Sequence, residues 1–151
     1  MKHSVRSHCA GSDSVPAHIQ VEIAQAIGQV EIKIGPKAAT KIRDALLSSL
    51  KSNGWTGKAP VAKGSDITIT SMRDEVGLCL QTGNMARMYA DLIKLQTLYL
   101  DNAIKSAVII VPSEPVALSL GSNIAQAKRL ERELEIFKKA YHVPTLVFAL
   151  E

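Results

Sequence analysis

The sequence predicts an α/β domain in which a mixed central sheet, made of a β-hairpin and the strands that follow it, is flanked by helices. Apolar residues recur at helical spacing in two segments before residue 55, and the period changes to two at residue 66. After residue 84, helical stripes alternate with short, continuous apolar runs. With 151 residues, the chain has the length of one domain, and we expect a flexible lead-in over 1–14 and one folded unit over 15–151.

Composition narrows the class of protein. Hydrophobic residues make up 46% of the chain and charged residues 21%, which is ordinary globular usage and excludes a wholly disordered chain. The formal net charge of +4 permits attraction to phosphate but is weak evidence for it. No apolar run approaches the roughly 18 residues of a membrane helix, and the first residues lack the apolar middle of a secretion signal. We expect a cytoplasmic protein without a membrane partner, in which Cys9 and Cys79 are free thiols.

The segments before the sheet are predicted to be a polar tail and two helices. Residues 1–14 are mostly polar and show no periodicity, which favours a solvated segment. Apolar residues at helical spacing predict a helix over 17–32. A second helix is predicted to start at Pro36, which suits a first helical turn, and to end before Asn53 and Gly54.

A β-hairpin is predicted where the period becomes two. In residues 66–71, isoleucines alternate with Asp66 and two threonines, and residues 76–82 alternate in the same way, with Cys79 and Gln81 in the polar register. Residues 72–75 are expected to form the turn. The polar registers of the two strands can then meet on one side of the hairpin.

The second half of the chain is predicted to alternate helices and buried strands. Asn84 stands at the N-cap position of a helix over 85–105. Continuous apolar runs predict buried strands over 106–112 and 145–150, with a helix over 123–141 between them.

A motif at the centre of the chain resembles a known family. Gln81, Gly83 and Asn84 form a Gln-x-Gly-Asn step, and the helix after it carries Arg87, Asp91, Lys94 and Gln96. This segment resembles the branch of the PD-(D/E)XK nuclease superfamily that contains the BglII and BstYI restriction endonucleases. More loosely, the likeness extends from about residue 35 to the C-terminus. It implies a restriction-endonuclease-like core and a type II endonuclease that hydrolyses double-stranded DNA with Mg²⁺.

The resemblance assigns roles to particular residues. It implies that Asp66 binds the metal and that Gln81, in the place of the family lysine, orients water or phosphate. The family places a glutamate two residues before that position, where this sequence has Cys79. A thiol is a soft ligand and replaces a Mg²⁺-binding carboxylate poorly. Glu22 is a candidate replacement acid, because helices before the sheet contribute one in some of these nucleases.

Five further residues are expected to contact DNA, namely Lys58, Lys63, Asn84, Arg87 and Lys94. The chain is expected to act as a homodimer, since two identical chains most simply cut both strands of a two-fold symmetric site.

Other interpretations of the same residues stay open. The chain could be a degenerate nuclease fold that serves as a DNA-binding or protein-interaction module, or an unrelated α/β domain. Asp66 could be a turn residue, Gln81 an ordinary strand residue and Cys79 a small buried filler.

Overall fold

A central five-stranded sheet organises the computed structural model, which describes residues 1–151. In chain order the strands are β1 (His3–His8), β2 (Ala59–Pro60), β3 (Thr68–Ile69), β4 (Ser71–Arg73), β5 (Val76–Leu80), β6 (Ser106–Pro112) and β7 (Thr145–Leu150). The helices are α1 (Gly11–Ser14), α2 (Ala17–Gly28), α3 (Ala38–Ser52), α4 (Met85–Leu100), α5 (Glu114–Leu120) and α6 (Ala127–Phe137). None of the six helices combines the length and the apolar character that a membrane span requires.

The central sheet is mixed, as the sequence predicts. Its strand order is β1-β7-β6-β5-β4, while β2 and β3 form a separate antiparallel pair. Strands β5, β6 and β7 are parallel to one another, and β4 and β1 pair antiparallel at the two edges. Every residue of β6 and β7 is buried, which is why these strands read as continuous apolar runs.

Two hydrophobic cores cover the two faces of the sheet. One core joins α2 and α3 to the even-numbered side of β5, including Leu78 and Leu80. The other joins α4 and α6 to the opposite side, where Cys79 lies. Side chains of β5 therefore alternate between two buried faces. Cys79, which the sequence places in the polar register of this strand, points toward α4.

The structure differs from the expected flexible lead-in at residues 1–14. Residues 3–8 form the edge strand β1, which pairs antiparallel with β7 from His3–Leu150 to His8–Thr145. Four of its six residues are exposed, so its side chains carry almost no hydrophobic pattern. The strand is held by backbone hydrogen bonds to β7, which side-chain periodicity does not reveal.

The hairpin forms, but with a shorter turn than the sequence suggests. Asp74 and Glu75 alone make the turn, with φ angles of 47° and 60°, so that Arg73 pairs with Val76. Positive φ at both central residues is the pattern of a type I′ hairpin turn. The strand predicted over 66–71 is split in two. Thr68 and Ile69 pair with β2 in the separate sheet, and only Ser71–Arg73 joins the central sheet. The helices differ too: α2 ends at Gly28 and α4 at Leu100, earlier than expected, α6 spans Ala127–Phe137 instead of 123–141, and α5 is an additional helix.

Candidate nucleic-acid interface

A polar cleft of about 620 Å³ opens where β5 ends and α4 begins. Its walls come from α3, the loop between α3 and β2, the segment 68–70, the end of β5 and one face of α4. The helix wall is placed by Asn84, whose side-chain oxygen accepts a 2.8 Å hydrogen bond from the backbone N–H of Ala86, as an N-cap does.

The cleft carries an excess of positive charge. Four cationic side chains line it, from α3, the loop between α3 and β2, and α4, and Asp91 is the one carboxylate among the lining residues. Arg43 donates a 2.7 Å hydrogen bond to the backbone oxygen of Leu80, which fixes its guanidinium at the end of β5. A guanidinium has five N–H donors, so most of them stay available to an anion. The four cations are Arg43, Lys58, Arg87 and Lys94.

Gln81 is fixed at the floor of the cleft by hydrogen bonds at both ends of its amide. Its Nε2 donates to Oδ2 of Asp91 at 2.8 Å, and its Oε1 accepts the backbone N–H of Gly83 at 3.1 Å. Lys94 Nζ donates to the other carboxylate oxygen of Asp91 at 3.2 Å. The Gln-x-Gly-Asn step therefore serves as a rigid link between β5 and α4, with Asp91 held by two donors.

The structure brings together only part of the predicted site. Gln81, Lys58, Arg87 and Lys94 all line the cleft. Lys63 is exposed in the loop between β2 and β3, and the Asn84 side chain is engaged as a helix cap, so neither residue lines the cleft. Both were expected to contact DNA together with Lys58, Arg87 and Lys94, and the structure places them outside that group.

Asp66 and Glu22 lie apart from Gln81, contrary to expectation. Asp66 is exposed and does not line the cleft. The strand that follows it, β3, pairs with β2 outside the central sheet and so keeps Asp66 away from β5. The Glu22 carboxylate accepts a 2.7 Å hydrogen bond from Arg73 Nη1, and this partly buried ion pair joins α2 to β4. Neither residue supplies an acid to the cleft.

The residue that faces Cys79 is Thr70, which the sequence reading missed. Continuing the β4–β5 register by one step from the Ser71–Leu78 pair places Thr70 opposite Cys79, and the Thr70 hydroxyl accepts the Leu80 N–H at 3.0 Å. Cys79 is completely buried. Burial, and secondarily the charge of Asp91, raise the pKa of the Cys79 thiol, so it stays protonated at neutral pH. The two residues are equally distant from the two-residue turn at Asp74 and Glu75, whereas the four-residue turn expected from the sequence pairs Thr68 with Cys79.

The residues present do not fit a carboxylate-bound divalent metal. No group of three or more His, Cys, Asp or Glu side chains is arranged to hold an ion. Asp91 is the only carboxylate that lines the cleft, and Gln81 and Lys94 occupy its two oxygens. Mg²⁺ requires hard oxygen ligands, which neither the protonated thiol of Cys79 nor the engaged carboxylate of Asp91 provides as it stands.

Comparison with known proteins decides the family. The family model described as "Restriction endonuclease BglII/BglIII" matches residues 4–150. The chain belongs to this restriction endonuclease family. The match begins inside β1, so it includes most of the edge strand. No curated protein sequence matches the chain.

Two solved structures share the fold. A crystal structure of restriction endonuclease BglII complexed with a DNA 16-mer superposes with a TM-score of 0.86 at 13% identity, covering 99% of this chain and 76% of that one. Free BglII superposes with a TM-score of 0.79 at 14% identity, covering 100% and 80%. The predicted family, fold class and assignment as a type II restriction endonuclease acting on DNA are confirmed.

Proposed function

We propose that this restriction endonuclease engages the backbone of double-stranded DNA in the cleft around Gln81. The observation that supports this most strongly is the convergence of four cations from three segments around one carboxylate. Lysine and arginine side chains bind DNA chiefly through phosphates, and this contact does not depend on base sequence. The recognition sequence must be read by other groups.

Each cleft residue has a proposed role. Arg87 is exposed and has no carboxylate partner, so it can meet a phosphate directly. Arg43 and Lys94 are tethered to Leu80 and Asp91, which presents their charges with little loss of side-chain freedom on binding. Gln81 positions Asp91 and Lys94 rather than contacting DNA strongly itself, since both ends of its amide are already hydrogen-bonded. Lys63 and Asn84 could be reached only by DNA that extends past the cleft.

We further propose that the working form is a homodimer. One cleft addresses one strand of a duplex, and a second copy related by two-fold symmetry addresses the other. An apolar surface suited to association lies on α4 and at the end of α6, where Ile93, Leu100 and Phe137 are 68%, 64% and 44% exposed. These three residues form the α4–α6 surface.

We also propose a cytoplasmic location, which is compatible with the free thiols of Cys9 and Cys79.

The first prediction concerns salt. Binding of the purified chain to a fluorescent duplex should weaken with salt, with a log-log slope of about −0.9 for each phosphate neutralised. Arg87→Ala and Lys94→Ala should each flatten that slope by about one unit. Lys94→Ala should lose more affinity, because Asp91 then faces the DNA without its cation. Fluorescence anisotropy over a range of salt concentrations measures both quantities.

A matched control is available in Lys138, an exposed lysine after α6 that does not line the cleft. Lys138→Ala should leave the slope unchanged. If all three variants changed the slope equally, the charge of the whole surface would be responsible, and the assignment of the DNA interface to the cleft would be wrong.

A further inference from the structure

We propose that the cleft holds the DNA backbone without a divalent metal ion, because the two strand positions that face each other beneath it, Thr70 and Cys79, carry no carboxylate. This inference rests on the proposed DNA-binding function and concerns which charges do the binding. Restriction endonucleases generally use divalent metal ions, so this chain departs from its family at that point.

The position of Cys79 rules it out as a metal ligand. Its side chain is fully buried in the core that α4 and α6 share with the sheet. Removing the proton from a buried thiol costs free energy, and Asp91 close by adds a repulsive charge. Thr70 opposite contributes a neutral hydroxyl, which already accepts the Leu80 N–H. The two strand positions that face each other therefore hold two neutral groups.

The remaining carboxylate does not compensate. Asp91 is mostly buried and serves as the acceptor for Gln81 and Lys94, so binding of Mg²⁺ would have to displace both. Four cations line the same cleft, so a divalent ion would enter a site that is already positive. Coulomb repulsion between like charges a few ångströms apart is substantial at the edge of a protein. The Nζ of Lys94 and the guanidinium of Arg43 supply fixed positive charge where a metal ion would otherwise neutralise phosphate.

Metal dependence of binding tests this directly. The affinity of the wild-type chain for duplex DNA should be unchanged, or slightly weaker, when EDTA is replaced by Mg²⁺ or Ca²⁺ at matched ionic strength. Titration calorimetry of the wild-type chain with Mg²⁺ or Mn²⁺ should show no binding. Affinity that rises tenfold or more with the metal, or a calorimetric site abolished by Asp91→Asn, would overturn the inference. Failure to bind DNA in any buffer would instead defeat the proposed function.

Introducing carboxylates at these two positions gives the complementary experiment. The double variant Thr70→Asp with Cys79→Glu should gain Mn²⁺ binding by calorimetry, and its DNA affinity should become metal-dependent. Its Mg²⁺-dependent nicking of plasmid DNA should exceed that of the wild-type chain. The matched variant Thr70→Asn with Cys79→Gln introduces similar shapes without charge and should gain none of these properties.

Folding of the variants is checked by circular dichroism, because Glu at position 79 places a carboxylate in a buried site. Thr70→Asp alone is less demanding, since Thr70 is only partly buried and lines the cleft. It should gain weak Mn²⁺ binding. If the folded acidic variants bind no more metal than the wild-type chain, these two positions are not where the ligands are missing.

Discussion

At the scale of single residues, Cys79 shows how one side chain changes the chemistry of a cleft. It fills a position in the strand that the family pattern gives to an acid, yet in this chain it is completely buried in a hydrophobic core. Met88, Leu92 and Leu95 of α4 belong to the same buried core. A cysteine there behaves as a small hydrophobic side chain. The buried-filler reading left open by the sequence is the one that its burial supports.

The pKa of Cys79 leads to a prediction about alkaline stability. Burial raises this pKa in the folded chain above the value of about 8.5 found in an unfolded one. The stabilisation is complete below the unfolded value and is lost as pH rises through it, by up to about 1.4 kcal/mol per pH unit. The stability advantage of the wild-type chain over Cys79→Ala should therefore shrink above about pH 8.5. Urea denaturation at pH 7 and pH 9.5 measures it.

Thiol labelling provides an independent check. Cys9 is exposed and Cys79 is buried, so a thiol reagent should modify one cysteine in the native chain and the second only on unfolding. Cys9→Ser should leave no reactive thiol before denaturation. Rapid labelling of Cys79 in folded Cys9→Ser, together with a constant stability advantage across this pH range, would show that the thiol is not enclosed.

At the scale of secondary structure elements, the edge strand β1 and the short helix α1 are fixed by a close approach to β7. Gly11 lies so near this strand that a Cβ atom would come within 2.2 Å of the backbone oxygen of Thr145. Backbone atoms cannot move aside as a flexible side chain can. The first 14 residues are therefore docked on the sheet by a contact that only glycine permits.

Gly11→Ala should destabilise the protein by about 1–3 kcal/mol, because it forces β1 and α1 away from β7. The measurement is urea denaturation, with proteolysis of the N-terminus as a local readout. Gly28→Ala is the matched control, since a Cβ atom there meets nothing within 4 Å, and its stability should be unchanged or slightly higher. Equal effects of both substitutions would argue against the docking contact.

At the scale of the whole molecule, the exposed apolar side chains of the α4–α6 surface carry the proposal of a homodimer. Leu100→Lys should shift the protein toward monomers in sedimentation equilibrium, because a charge at the centre of an apolar interface must be desolvated. Binding to a palindromic duplex should weaken with it, while the salt slope per monomer stays the same. Leu100 is 64% exposed, so the substitution should not disturb folding.

The control for this prediction is Leu118 on α5, which is 75% exposed and lies outside the α4–α6 surface. Leu118→Lys should leave the oligomeric state unchanged. A wild-type chain that stays monomeric at high concentration, both free and on a palindromic duplex, would contradict the homodimer.

By itself, the sequence determined the features that depend on local pattern. The period of two in 76–82, the apolar runs of β6 and β7, and Asn84 before an amphipathic segment predict the strands β5, β6 and β7 and the helix α4. Their order along the chain also predicts that Gln81 stands where β5 meets α4. Burial produces these patterns within a few consecutive residues, so they can be read without the fold.

Only the tertiary structure decided which distant residues meet. It made residues 3–8 an edge strand, because backbone pairing to β7 requires no side-chain pattern. It joined Glu22 to Arg73 and removed Asp66 from the cleft, because β3 pairs with β2 instead of β5. It set Thr70 against Cys79 through a turn of two residues. The four-residue turn expected over 72–75 would pair Ser71 with Val76 and Thr68 with Cys79, whereas the observed turn of two residues shifts this register and brings Thr70 to Cys79. The register of the hairpin, and with it the identity of the facing residues, therefore follows from the folded chain.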